Sequence, residues 1–329
     1  MALRKKNCNK IIYYFIIIIV MKLFKFSKVR FNLLWLLAFL LPIIFSTCKD
    51  FPSDNTNNSV DPKNFTETIN DEFPSWLQDG KAISYKGGTI EVGFGLYGID
   101  SSGSNKREIA VPMTIFEYDW SPDGKWIVYS EGRQIYKRNI EDSRIIKLTS
   151  SGGNFFPSWS LDGQWIAYDS DVDSPNGMNF IWKMSADGTE KKRIIYTPDI
   201  GEVRQPDWFP DGVRLAVSRY VGHGAPEIAI IDTMGQSLKV ITKDNKFDLS
   251  PKVSNDGKNI IFWRYDNYGE ILRASINNDY RIEIVKSGYC KHPNWSPDSE
   301  LITYSNSSYN DGRIWVMNKD GSNARKISF

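Results

Sequence analysis

Between residues 73 and 329 the apolar positions fall in short alternating runs, and the runs recur every 39–49 residues. Aligned on an Asp, the copies stand at Asp79, Asp123, Asp162, Asp211, Asp256 and Asp298. Gly follows in all but the last, where Ser299 stands. Three residues before the Asp lies Trp76, Trp120, Trp159, Trp208, Val253 or Trp295, and five before it Pro74, Tyr118, Pro157, Pro206, Pro251 or Pro293. Four residues after it comes Ile83, Ile127, Ile166, Leu215, Ile260 or Ile302, and six after it Tyr85, Tyr129, Tyr168, Val217, Phe262 or Tyr304. The period of two within each copy marks strands rather than helices.

Each copy reads as four strands. Pro-x-Trp is the first, and a turn such as Ser121-Pro122-Asp123-Gly124 leads into the second, Ile127 with Tyr129 on one face. Pro pre-sets φ in that turn and Gly takes its left-handed position. Third strands are runs such as Ile181-Trp182-Lys183-Met184, and the fourth is short, as in Val240-Ile241-Thr242. One four-stranded sheet would leave both faces apolar and wet, whereas blades standing in a ring bury both. The pattern predicts an all-β, six-bladed β-propeller over 73–329 with four antiparallel strands per blade, its Trp and Tyr forming the inter-blade core.

The N-terminus reads differently. Residues 1–47 carry eight Lys or Arg and no acidic residue; a basic stretch opens at Met21, Asn32–Phe45 is almost wholly apolar, and Ser46-Thr47-Cys48 follows. That order resembles a bacterial lipoprotein signal, and the resemblance implies lipid attachment at Cys48. The alternative is an uncleaved membrane anchor over the same residues. Met21 is the better candidate for the true start. Residues 48–72, rich in Asn, Asp, Ser and Thr, predict a flexible, disordered tether.

Setting the leader aside changes the charge balance: 41 basic against 39 acidic residues becomes 33 against 39. A mildly acidic chain lacks the footprint of a nucleic-acid binder. Of the three cysteines only Cys290 lies in the propeller, where it reads as a small buried apolar residue.

The Pro-x-Trp-Ser-Pro-Asp-Gly repeat, with its Ile-Ala-Tyr and Ile-Trp-x-Met runs, resembles the TolB-like propeller repeat over 73–329. The resemblance implies a fold and an envelope-facing, protein-binding role, and it extends to the propeller half of TolB only. The same blade is similar to the propeller of prolyl-oligopeptidase-type peptidases.

Strand order places the short Asp-Gly turns on one face of the disc and the longer connections on the other, around the channel mouth. Loops on rigid scaffolds carry function, so the long-loop face is the expected binding surface. His223 and His292 fall in its connections as the metal candidates, though in blades that are not neighbours; the plain reading is two exposed or capping imidazoles. The acidic loop residues Asp171, Asp173, Glu202, Asp266 and Asp311 read as solvation. Asp and Gly are adjacent in the turns, unlike a sialidase Asp-box, and no nucleophile elbow, zinc-protease helix or phosphate loop occurs.

The expectation is a lipid-anchored module of the bacterial cell envelope, facing the periplasm or cell surface. It binds an envelope protein or glycan through the long-loop face, with no catalysis, cofactor or nucleic acid. The alternative is a carbohydrate lyase or lactonase holding a divalent cation at the channel mouth.

Overall fold

The chain divides into two units, Met1–Phe65 and Thr66–Phe329. The computed structural model describes residues 71–329 apart from 90–92, 111–116, 175, 195–199, 223, 267 and 308–311. The leader, Cys48, most of the tether, His223 and Asp311 therefore lie outside the described residues.

Among the described residues, twenty-four strands, β1–β24 in chain order, form six four-stranded sheets, each built from four consecutive antiparallel strands. The innermost strands, which line the channel, are β1 (Glu72–Trp76), β5 (Tyr118–Trp120), β9 (Asn154–Trp159), β13 (Glu202–Trp208), β17 (Phe247–Val253) and β21 (Cys290–Trp295). The first begins at Glu72, one residue earlier than expected. Most of the others also begin before their Pro, so residues assigned to the connections belong to the strands.

Where the first turn of a blade carries Ser-x-Asp, it is held alike each time. In blade 2 the Asp123 carboxylate accepts from the Ser121 hydroxyl and the Lys125 N–H, and the Ser121 Oγ accepts from the Trp126 N–H at 2.9 Å. Ser160, Ser254 and Ser296 repeat the arrangement. Gly124 sits at φ 68°, and Ser299 takes the same left-handed conformation at 62°.

The apolar side chains of the described residues segregate into six clusters, each shared by two neighbouring blades. Val128 and Ile135 of blade 2 meet Trp159 and Tyr168 of blade 3, and so on round the ring. The last cluster joins Ile314, Val316 and Ile327 of blade 6 to Trp76, Ile83 and Tyr85 of blade 1. Among the described residues the ring closes without a blade shared between the two ends of the domain. Side chains fasten the seam instead: Lys291 pairs with Glu72, and Arg325 donates to the Ser101 carbonyl at 2.6 Å. Cys290 is buried in the blade 5–6 cluster, and burial pushes its thiol up to about 12.

Candidate functional site: the channel mouth and its aromatic rim

The residue before the Pro in each inner strand builds the mouth. Phe73, Phe156, Gln205, Ser250 and His292 all sit at φ 52–56°, each at a shift in register between the innermost strand and its neighbour. A residue before Pro is normally extended, and a left-handed conformation costs a side chain with a Cβ about 1–2 kcal/mol. Such a bulge re-aims the side chain, and these five line the open space at one end of the channel. Glu117 supplies the sixth lining position, beside Tyr118, which replaces Pro in blade 2.

The x of each Pro-x-Trp lines the throat: Ser75, Asp119, Ser158, Asp207, Lys252 and Asn294. Here the charges are matched. Lys252 Nζ donates to Asp207 at 2.8 Å, and the other Asp207 oxygen accepts from the Val253 N–H at 2.8 Å. Lys252 borders the spaces at both ends of the channel, about 100 Å³ on the short-turn side and about 80 Å³ at the mouth. Both fall well below the ~300–1,000 Å³ of a small-molecule pocket, so the channel takes waters or a narrow group, not an oligosaccharide.

Burial sets the protonation of the mouth. It pushes the Glu117 carboxyl up to about 8, with Lys252 and Lys86 pulling the other way. Asp169, buried in the second strand of blade 3 with no hydrogen bond to either carboxyl oxygen, is also raised well above its ordinary value by burial. His292 is pushed down to about 3 by burial and by Lys291 and Lys86, so it is neutral.

The placement of His292 corrects the sequence reading in two respects. It belongs to β21, not to a connection, and it is packed rather than exposed or capping, its ring stacked on Phe73 at 4.0 Å. The positive-φ bulge brings it there, a feature no periodicity signals. Among the described residues no three His, Cys, Asp or Glu side chains gather as metal ligands. Two of the acids read as solvation make ion pairs instead: Asp171 pairs with Arg133 of blade 2 at 2.8 Å, and Glu202, the first residue of β13 rather than a loop residue, pairs with Arg204 at 2.6 Å.

From His292 an aromatic path leads outward. Trp263 lies 5.9 Å from the imidazole, Tyr265 5.7 Å from Trp263, and Phe247 6.5 Å from Tyr265. Tyr268 and Tyr289 meet edge to face at 5.4 Å in the neighbouring connections. Phe247, Tyr265, Tyr268 and Tyr289 are 50, 62, 62 and 43% exposed, a concentration of uncovered aromatic surface on the long-loop side of blades 5 and 6. Sequence reasoning found the face but not these residues, which interrupt no repeat position.

Six blades, a matched throat and an aromatic-rimmed mouth define a propeller scaffold. Residues 172–329 match the family model described as the TolB beta propeller domain, and the propeller is TolB-like. A stretch of 174 residues is 30% identical to the uncharacterized protein Atu1656 of Agrobacterium fabrum, covering 48% of this chain and 58% of that one. The structure is similar to TolB from Acinetobacter baumannii, with a TM-score of 0.63 and 23% identity over 73% of this chain and 62% of that one. It is also similar to an oligogalacturonate lyase in complex with manganese, with a TM-score of 0.55 and 13% identity over 79% and 77% of the two chains. At such identities the two solved structures share the fold. The chain spans about three-fifths of Atu1656 and of that TolB.

Proposed function

We propose that the propeller is a protein-binding scaffold of the bacterial cell envelope, anchored by a lipid on Cys48 and engaging its partner through the aromatic rim. The observation that carries this reading is the exposed set Phe247, Tyr265, Tyr268 and Tyr289 on one sector of the long-loop face. Tyr and Phe anchors dominate protein interfaces because they bury much area for little lost side-chain freedom, and a concentrated apolar patch is rare without a partner. The rings meet edge to face rather than forming one flat platform, which suits interdigitating side chains better than a sugar face. The TolB-like repeat and the leader's charge pattern support the envelope setting.

Photo-crosslinking in cells tests it. A benzophenone amino acid at Tyr265 or Tyr268 is expected to give a discrete protein adduct, and the same group at Leu161, exposed on the short-turn face, none. Equal crosslinking from both faces, or adducts lost on deglycosylation alone, would overturn the protein-partner reading. Radiolabelled palmitate incorporation that disappears in Cys48→Ser tests the anchor.

A further inference from the structure

The six mouth positions hold one ionisable side chain with no hydrogen-bond or ion-pair partner among the described residues, Glu117. Phe73, Phe156, Gln205 and Ser250 carry no charge, and the His292 imidazole is neutral. The charged groups nearby are Lys252, Asp119, Asp169 and Lys86, and of these Lys252 and Lys86 act on Glu117 through space without a hydrogen bond to it. Lys252 is held by Asp207 at 2.8 Å. Asp119 accepts from two main-chain N–H groups. Asp169 lies buried behind the mouth, and Lys86 stands 6.0 Å from the Phe73 ring centroid and 5.2 Å from that of Phe94. Glu117 alone faces the mouth space with no hydrogen bond or ion pair among the described residues, although it is packed deeply enough for burial to govern its protonation.

Blade order sets Glu117 between two aromatic bulge residues, Phe73 of blade 1 and Phe156 of blade 3. A carboxylate without a direct partner, set between aromatic rings, attracts an organic cation through its charge and through the ring quadrupoles. The volume of about 80 Å³ admits a headgroup with a few waters and excludes a sugar ring with its neighbours. A metal ion would want three or more ligands, and the described residues gather no such set.

The geometry points to a receptor for a primary ammonium group at the channel mouth, with the Glu117 carboxylate as counter-ion and the Phe73 and Phe156 rings as walls. A lysine side chain or a free N-terminus of a protein partner presents that chemistry. Because Glu117 is largely protonated at neutral pH, a bound cation must displace its proton, and affinity rises with pH.

Calorimetric titration of the detergent-solubilised full chain with n-butylammonium chloride tests this, with butanol and butyrate as controls. Saturable 1:1 binding is expected at pH 8.5 and at least about tenfold weaker binding at pH 6.5, the proton linkage of a single acid. Glu117→Gln, close in shape, should abolish binding while leaving the circular dichroism spectrum unchanged, and Phe156→Ala should weaken it several-fold. Unchanged binding in Glu117→Gln, equal binding of butyrate, or no saturable binding of butylammonium to the native chain at pH 8.5 would overturn the proposal. The rim crosslinks read a different surface, so either idea can fail alone.

Discussion

The Asp119 carboxyl of blade 2 accepts a 2.7 Å hydrogen bond from the main-chain N–H of Trp159 in blade 3, while its other oxygen accepts from its own Trp120 N–H at 2.9 Å. One side chain thus fixes the position of two inner strands. Asp207 makes the equivalent link to the Val253 N–H of blade 5. Asp119→Ala would leave a buried N–H unpaired and remove charge-assisted bonds, a loss of ~2–3 kcal/mol. Urea denaturation should show a lower midpoint with an unchanged slope. A loss below about 0.5 kcal/mol, the scatter of ordinary surface substitutions, would show that the blades do not depend on this tie.

The mouth predicts the pH dependence of stability. Glu117 rises from an ordinary value of 4.5 to about 8 in the folded state, so between those values the folded protein holds a proton that the unfolded chain has released. Stability therefore falls as pH rises through that window. Asp119, raised from 3.8 to about 6, acts with the same sign at lower pH. His292, lowered from 6.5 to about 3, acts with the opposite sign between those two values. Above pH 6.5 only the acids remain, so the melting temperature should decline from pH 6.5 to 8. Glu117→Gln should flatten that decline, leaving only what Asp169 contributes. An equally steep decline in the variant would place the titration elsewhere.

The division between what was legible in the sequence and what was not follows from how each feature is encoded. Asp123, Gly124, Trp120 and Tyr129 act through local turn chemistry or through a face buried in every blade, so the Asp recurs in all six copies and the others in most, and the fold can be read directly. The mouth is encoded by exceptions. A residue before Pro is biased toward extended backbone, so nothing local announces that Phe156 or His292 turns left-handed; only packing in the ring imposes it. Glu117 is visible only as the neighbour of the one inner strand lacking Pro. The rim aromatics lie at strand ends (Phe247 and Tyr265) or in connections (Tyr268 and Tyr289), where the repeat imposes no pattern.

A buried ion pair anchors blade 5 beside the rim. Arg264 donates to Asp248 at 2.6 and 2.8 Å and also pairs with Asp244 at 2.8 Å; Asp248 is fully buried and Arg264 nearly so. Asp248→Ala leaves a buried guanidinium with only the half-exposed Asp244, and breaking such a pair costs about 3 kcal/mol or more. The double variant Asp248→Leu/Arg264→Met removes both charges and should recover much of that loss. A double-mutant cycle by chemical denaturation checks this; additive losses would show that the two side chains contribute independently.

Ser299 offers the last test, because two small effects compete there. At φ 62° it occupies the left-handed position that Gly fills in the other first turns, and Gly would relieve about 1 kcal/mol of strain. Its hydroxyl also accepts from the Asp256 N–H of blade 5 at 3.3 Å, a long bond worth less than a well-formed one. Glycine's extra freedom in the unfolded chain takes back a further fraction. The balance favours Ser299→Gly by ~0.5 kcal/mol or less, a rise in melting temperature of about 1–2 °C for a domain of this size. A fall of several degrees would mean that the hydroxyl's link between blades 5 and 6 outweighs the backbone strain, and that the last turn is held by its neighbour rather than by its own conformation.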